Sequence, residues 1–523
     1  MSAADGITRR AVLAGGAAAV GAMAVPAGAT TIFSPQVRSA SGEYVGSFVY
    51  DPADRVTVRA HRFAGIRYAR AERFQPPVPV VSSAPMAEQT PGFGPACPQP
   101  GPKTGVGAYQ PQSEDCLFLN VWVPAREQRS LSTQLPVMVY FHGGAYSTGS
   151  VTDPLNDGAA LAARGNVVVV TVNHRLNALG YLYLPDRFPD SGNAGQLDLI
   201  CALKWVQRNI AAFGGDPGNV TLFGQSGGGA KIATLMAMPA AAGLFHKAIT
   251  MSGQQVTASG PLNAKKRAEA FLARLRGGLD PALPRLDPVL VPLDQLLMAL
   301  DATDPVLGGR VYMGPVMDMR SLLRHPFWPD APSQSAQIPM LLGNTIAETR
   351  AFYPADGKVL KGLDFENLAA RIAPEMRIDI APDWVVDQFR VRYPEASPLD
   401  LFHRIVTAAR SWRGQVEEAE ARARSAQGNT FVYQLDFENA RHTDDIGLAF
   451  GTVPDSTAAQ STMSAVMMDT FVRFARSGDP GWPAYDLDTR ATMVFDRQSQ
   501  VVSDPRGWER RLFARVPYVQ PGT

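Results

Sequence analysis

Val220-Thr221-Leu222-Phe223-Gly224-Gln225-Ser226-Gly227-Gly228-Gly229-Ala230-Lys231-Ile232-Ala233-Thr234-Leu235-Met236-Ala237-Met238 is the stretch on which the reading of the chain turns. Val220 to Phe223 has the composition of a buried strand, and Ala230 to Met238 is rich in helix formers and stops at Pro239. Between them sits a glycine-rich turn around one serine. Strand, tight turn and helix in that order form a nucleophile elbow, in which glycines beside the serine let the backbone cross itself closely. Gly-x-Ser-x-Gly alone is a weak pattern in a chain with 47 glycines, so the flanking strand and helix carry the argument. A helix that starts behind Ser226 also turns backbone N–H groups and a positive dipole end toward the serine oxygen.

Working outward, Pro136 to Phe141, Val167 to Val172, Ala248 to Met251 and Pro339 to Leu342 are further apolar runs. They are continuous, not alternating, as strands of a parallel sheet covered on both faces require. A helix from about Gln196 to Ala212, closed at Gly214-Gly215, and another from Ser461 to Arg476, with Gly478 and Pro480 beyond it, fall between or after such strands. The expected architecture is therefore the α/β-hydrolase fold, a doubly wound and mostly parallel sheet. Residues 260–337 are richer in Pro, Leu and Arg and read as helical insertions over the active-site end. His142-Gly143-Gly144-Ala145 follows the strand Pro136 to Phe141 directly. Its glycines suit a loop whose N–H groups turn inward to an oxyanion, with Gly227 N–H completing the set.

The bulk properties exclude several function classes. With 49 Lys and Arg against 48 Asp and Glu, the chain has no net field to draw it to nucleic acid. No Cys or His cluster has zinc-ligand spacing, and no glycine motif has a dinucleotide or P-loop form, so neither metal nor organic cofactor is expected. Thr8-Arg9-Arg10 followed by a small, apolar run to Val25 and by Ala27-Gly28-Ala29 reads as a twin-arginine export signal over 1–29, with a candidate cleavage site after Ala29. The run is too short and too rich in Ala and Gly for a strong membrane anchor, which leaves 30–523 as one exported, soluble catalytic domain, periplasmic or secreted. Of the three cysteines, Cys97 and Cys116 are expected to form a disulfide, being close in sequence and flanked by turn residues. Cys201 lies at helical spacing among Leu199, Leu203 and Val206 and reads as core.

A serine nucleophile needs a base and an orienting acid, which follow it in chain order in this fold. Of seven histidines, that order leaves His325, His403 and His442. His325 precedes any carboxylate at a strand end, His403 lies in the helical pattern Leu399 to Ala408, and His442 sits in a polar loop after the strand Phe431 to Leu435. Residue type alone does not choose the acid among Asp318, Glu348, Asp364 and Glu366.

The sequence resembles the type B carboxylesterases, the family of bacterial para-nitrobenzyl esterases and animal cholinesterases. The likeness runs through Phe63-Ala64-Gly65-Ile66-Arg67-Tyr68-Ala69, Glu114-Asp115-Cys116-Leu117-Phe118-Leu119-Asn120, Val172-Asn173-His174-Arg175-Leu176 and Asn209 through Asp216, ahead of the elbow. It implies a serine carboxylic ester hydrolase acting on small-molecule esters through an acyl-enzyme. The implied triad is Ser226, Glu348 and His442, with Ser252 supporting the acid and base by hydrogen bonding. Three departures from the family pattern stand out: Gln225 where relatives carry Glu, Gly227 in place of the commoner Ala, and Arg67 in place of a proline. A non-catalytic binding relative would lack a triad member; an amidase or lipase would keep all three. Tyr146, Trp328, Phe352 and Tyr353 are the aromatic residues near the motifs that could line a substrate pocket.

Overall fold

The apolar runs become strands of one eleven-stranded sheet. In a computed structural model of the chain, the described residues are 34–81, 92–102, 107–125, 133–277, 287–376, 378–425 and 428–520, so the expected export signal lies outside them. Numbered along the chain, the sheet strands are β1 Ser47–Tyr50, β2 Val58–Arg67, β3 Phe118–Pro124, β4 Leu135–Phe141, β5 Val168–Val172 and β6 Gly215–Gln225. They continue as β7 Lys247–Met251, β8 Met340–Thr345, β9 Thr430–Leu435, β10 Ala491–Phe495 and β11 Gln500–Ser503. Their spatial order is β11-β10-β9-β8-β7-β6-β4-β5-β3-β2-β1. All pairings from β5 through β10 are parallel, and the edges are antiparallel.

The continuous apolar runs are explained by where alternate side chains go. Val137, Val139 and Phe141 of β4 enter one core, while Met138 and Tyr140 enter the other. With a side-chain period of two and helices on both faces, neither set can be polar. The first core is closed by helices α1 (Ala194–Asn209) and α2 (Gly227–Leu235); the second by α3 (Asp444–Phe450) and α4 (Ala458–Ser477). Helix α1 passes through a short 3-10 turn to Gly214, which takes the expected left-handed cap at φ 80°. Helix α4 begins earlier than its apolar spacing indicates, because Thr457 and Gln460 form a reciprocal capping box.

The connectivity fixes where chemistry can occur. The chain runs from β4 outward to β5, then returns past β4 to lay down β6 on its other side. Strand order reverses there, and crevices in open α/β sheets form outside the carboxyl ends of the strands at such a switch point. His142 follows the carboxyl end of β4 and Ser226 that of β6. Because β7, β8 and β9 run parallel to them, Ser252, Glu348 and His442 emerge at the same end.

Among the described residues of 260–337 the α-helices are Pro261–Gly277 and Leu293–Ala299, the first burying Phe271 and Leu275 in the core. A larger helical block, anticipated in the sequence only at Leu399 to Ala408, spans Leu368–Met376, Pro382–Arg392 and Pro398–Val406, runs on through a π turn to Trp412, and buries its own apolar cluster with Leu512 and Phe513. Among the described residues no helix is long and apolar enough to cross a membrane.

The expected disulfide is corrected. Cys97 and Cys116 are both buried free thiols. Their nearness in sequence does bring them together, since Cys116 hydrogen-bonds Cys97, but Cys97 stays a thiol, donating to the Pro98 carbonyl at 3.7 Å and accepting from the Leu176 N–H at 3.2 Å. The Cys97 hydrogen bond and burial, in that order, keep the Cys116 thiol well above its usual pKa and therefore protonated. Cys201 is buried on α1, as its spacing indicates.

Candidate active site

Ser226 joins β6 to α2 with φ 53° and ψ −123°, a conformation that an L-residue adopts only where its surroundings enforce it. They do so by close approach. A Cβ on Gly228 would overlap the Phe141 carbonyl, and one on Gly227 would overlap that of Ala145. The space vacated by those side chains lets the loop after β4 lie directly against the start of α2. Gly227 is thus more than a looser substitute for the family's alanine: at this spacing a methyl group has no room.

The His142–Ala145 loop faces the serine, with Ser226 Cβ 3.4 Å from where a Cβ on Gly143 would stand. Among the described residues no backbone carbonyl accepts from the N–H groups of Gly143, Gly144 or Gly227. Gly227 is the first residue of α2, whose leading N–H groups have no partner within the helix. The loop and the helix start therefore present unpaired donors beside Ser226.

Glu348 and His442 meet as the resemblance implies. His442 Nδ1 and Glu348 Oε2 are in short contact, both side chains buried. Oε1 accepts from Ser252 Oγ at 2.5 Å, Thr345 N at 2.9 Å and Asn344 Nδ2 at 3.1 Å. Burial alone would raise the Glu348 carboxyl, but the His442 contact and these donors outweigh it and hold it below its usual range. Burial likewise pulls His442 down, and the Glu348 carboxylate more than reverses this, leaving the imidazole above its ordinary pKa. Asn344 and Thr345 were not singled out in the sequence, although they stand within one turn upstream of Glu348. The rival histidines are used elsewhere: His325 Nδ1 accepts from Ala258 N at 3.1 Å, and His403 Nδ1 lies 3.1 Å from Thr349 Oγ1.

Among the described residues no hydrogen bond joins Ser226 Oγ to His442; its Nε2 instead faces the Gln225 side-chain nitrogen at 3.3 Å. The Glu348 carboxylate can only accept, so the ring proton sits on Nδ1 and Nε2 offers a lone pair, to which the Gln225 amide N–H can donate. This is the tautomer a general base needs. Since the raised imidazole must lose its proton to act, kcat/KM should fall as pH drops through a midpoint above 6.5. Gln225→Glu adds a carboxylate against the same nitrogen and favours the imidazolium further. The acidic limb of kcat/KM should then move to higher pH, with at least about fivefold loss at pH 6 and little change at pH 9. An unmoved limb would show that this contact does not tune the base.

Of the four aromatic residues considered, Phe352 is placed against the triad, its ring 4.6 Å from that of His442. Tyr146 is buried behind the loop, Tyr353 packs on Phe402, and Trp328 is exposed beside His325. A cavity of about 350 Å³ is lined by Ser147 and Thr148, just beyond the loop in sequence, with Leu297, Met298 and Val311. Among the described residues no cluster of His, Cys, Asp and Glu could hold a metal ion.

The sequence pattern of the carboxylesterase family matches residues 34–506. The para-nitrobenzyl esterase of Bacillus subtilis (strain 168) is 34% identical over 486 residues, covering 86% of this chain and 94% of that protein. A solved para-nitrobenzyl esterase structure superposes with a TM-score of 0.75 at 32% identity, and the crystal structure of a Geobacillus stearothermophilus carboxylesterase with 0.77 at 32% identity. Each covers 91% of this chain and 99% of the other.

Proposed function

Because the chain belongs to the carboxylesterase family and is an ester hydrolase with the α/β-hydrolase fold, we propose that Ser226, His442 and Glu348 carry the reaction as a triad through an acyl-enzyme. The observation that supports this most is the buried contact between Glu348 and His442 Nδ1, which leaves Nε2 as the basic nitrogen at the mouth of the elbow. Ser226 Oγ attacks the ester carbonyl carbon while His442 Nε2 takes its proton. The carbonyl oxygen, now anionic, receives the N–H groups of Gly143, Gly144 and Gly227. Collapse breaks the bond to the alcohol oxygen, which leaves with the proton from His442. Water then attacks the acyl-serine with His442 again as base, releasing the acid and restoring Ser226. The scheme needs no metal or organic cofactor. The arginine pair and apolar run of 1–29 support export of the enzyme.

A fluorophosphonate probe tests the nucleophile directly. The expected result is one covalent adduct per chain on the peptide that carries Ser226. A folded protein that takes no label would indicate a non-catalytic binding relative, and matched ester and amide substrates separate an esterase from an amidase.

A further inference from the structure

Lys231 lies on α2, little more than one turn beyond Ser226, and its side chain is 0% exposed. A buried ammonium is costly unless it is paired, yet among the described residues no carboxylate forms an ion pair with it. Its Nζ donates instead to two backbone carbonyls, those of His142 at 3.1 Å and Ala145 at 2.9 Å, and stands 5.6 Å from the centre of the Tyr146 ring. These two carbonyls bracket Gly143 and Gly144.

The geometry of the peptide unit gives this pairing a consequence. In a trans peptide the C=O of one residue and the N–H of the next point in opposite directions. Holding the His142 carbonyl toward Lys231 therefore turns the Gly143 N–H away from it, and Gly143 is the loop residue whose Cβ, were there one, would stand 3.4 Å from Ser226 Cβ. The next peptide is fixed in the same manner by a different group, since His142 Nδ1 is 2.9 Å from the Gly143 carbonyl, and this sets the direction of the Gly144 N–H. The second Lys231 bond draws in the Ala145 carbonyl, the same atom that leaves no room for a Cβ on Gly227.

We propose that Lys231 is a positioning residue for ester hydrolysis, orienting the Gly143 N–H toward the oxyanion and setting the closeness of the loop to Gly227. The inference rests on the oxyanion assignment made above. What it requires is N–H donation, not positive charge. The titratable groups facing Lys231 are the buried imidazoles of His142 and His174, both held low by burial first and by Lys231 second, the former at about 3. Burial brings Lys231 itself down to about 7, and the neutral amine keeps two N–H bonds for its two carbonyls.

Lys231→Met keeps length and removes the donors. The expected result is a kcat about 10- to 100-fold lower with KM within about threefold, at unchanged melting temperature, because a misaligned oxyanion donor is felt in the transition state. Lys231→Gln, which retains an N–H donor, should recover at least about fivefold of that loss. Gly227→Ala should also lower kcat in the parent, whereas adding it to Lys231→Met should cost little more, since the Ala145 carbonyl is then free to recede. In the unsubstituted enzyme kcat should show no fall as pH rises from 6 to 9, the range across which Lys231 loses its charge. A Lys231→Met kcat within about twofold of the parent overturns the proposal, as do equal losses in the Met and Gln variants or a full additive penalty in the double variant. Should Lys231→Met fail to fold, a fall in parent kcat centred near pH 7 to 8, or a fully active Gly227→Ala, overturns it as well. Failure of the triad reading is distinguishable, because Ser226→Ala would then keep its activity whatever stands at position 231.

Discussion

Ser226→Ala should lower ester turnover by about 10⁴-fold or more while leaving the melting temperature within about 2 °C of the parent. Both halves of that result follow from the local geometry. Among the described residues the Ser226 hydroxyl makes no side-chain hydrogen bond, so its removal breaks no contact that holds the fold. Alanine keeps the same Cβ, and the strained φ of 53° is enforced by the backbone packing around Gly227 and Gly228, which the substitution does not touch. What is lost is the atom that attacks the carbonyl. Water placed by the remaining glycine donors could supply only slow residual hydrolysis. Initial rates on a short-chain ester, with fluorophosphonate labelling and thermal unfolding on the same preparation, check the expectation. More than about 1% residual activity, or labelling that persists at another residue, would remove Ser226 from the mechanism.

How much of this was legible in the sequence depends on the range of the interaction concerned. Strands β4 to β9 were readable because burial on both faces forces unbroken apolar runs, and the elbow because its glycines, strand and helix are contiguous. The triad partners were a different matter. Chain order and its polar loop leave His442 one of three candidate bases, nothing local marks Glu348, family likeness supplies both, and the sheet's parallel strands bring them to one end. The Asn344 and Thr345 donors to Glu348 were missed because a residue three or four positions before a carboxylate carries no signal until the turn after β8 is known. In the sequence Lys231 is one more helix former, since only the folded loop puts two carbonyls over its ammonium. The Cys97–Cys116 pair erred in the opposite direction: spacing correctly indicated proximity, but proximity is shared by a disulfide and by two buried thiols.

Glu348→Gln should be strongly damaging although it leaves both nucleophile and base in place, with kcat about 10³- to 10⁴-fold lower and KM little changed. An amide has one acceptor end and one donor end, and the surroundings of Glu348 decide which way it turns. Three donors converge on Oε1, from Ser252, Asn344 and Thr345, and only His442 Nδ1 meets Oε2. The amide oxygen must therefore take the Oε1 position, because an NH₂ group there would face three donors. The NH₂ then points at His442 Nδ1, which has to accept. That forces the ring proton onto Nε2, the nitrogen that must be empty to receive the Ser226 proton, so the variant rests in the wrong tautomer. Loss of the carboxylate also removes what raises His442, so the surviving activity should persist to lower pH than in the parent. A rival acid lies close by. Asp445 is fully buried, neither of its oxygens has a hydrogen-bond partner among the described residues, and burial followed by the charge of Glu348 pushes it up to about 7. Were Asp445 the working acid, removing the Glu348 charge would make it a stronger partner for His442, and Glu348→Gln would retain activity within about tenfold of the parent. Rates measured from pH 5 to 9 on both forms separate the two cases.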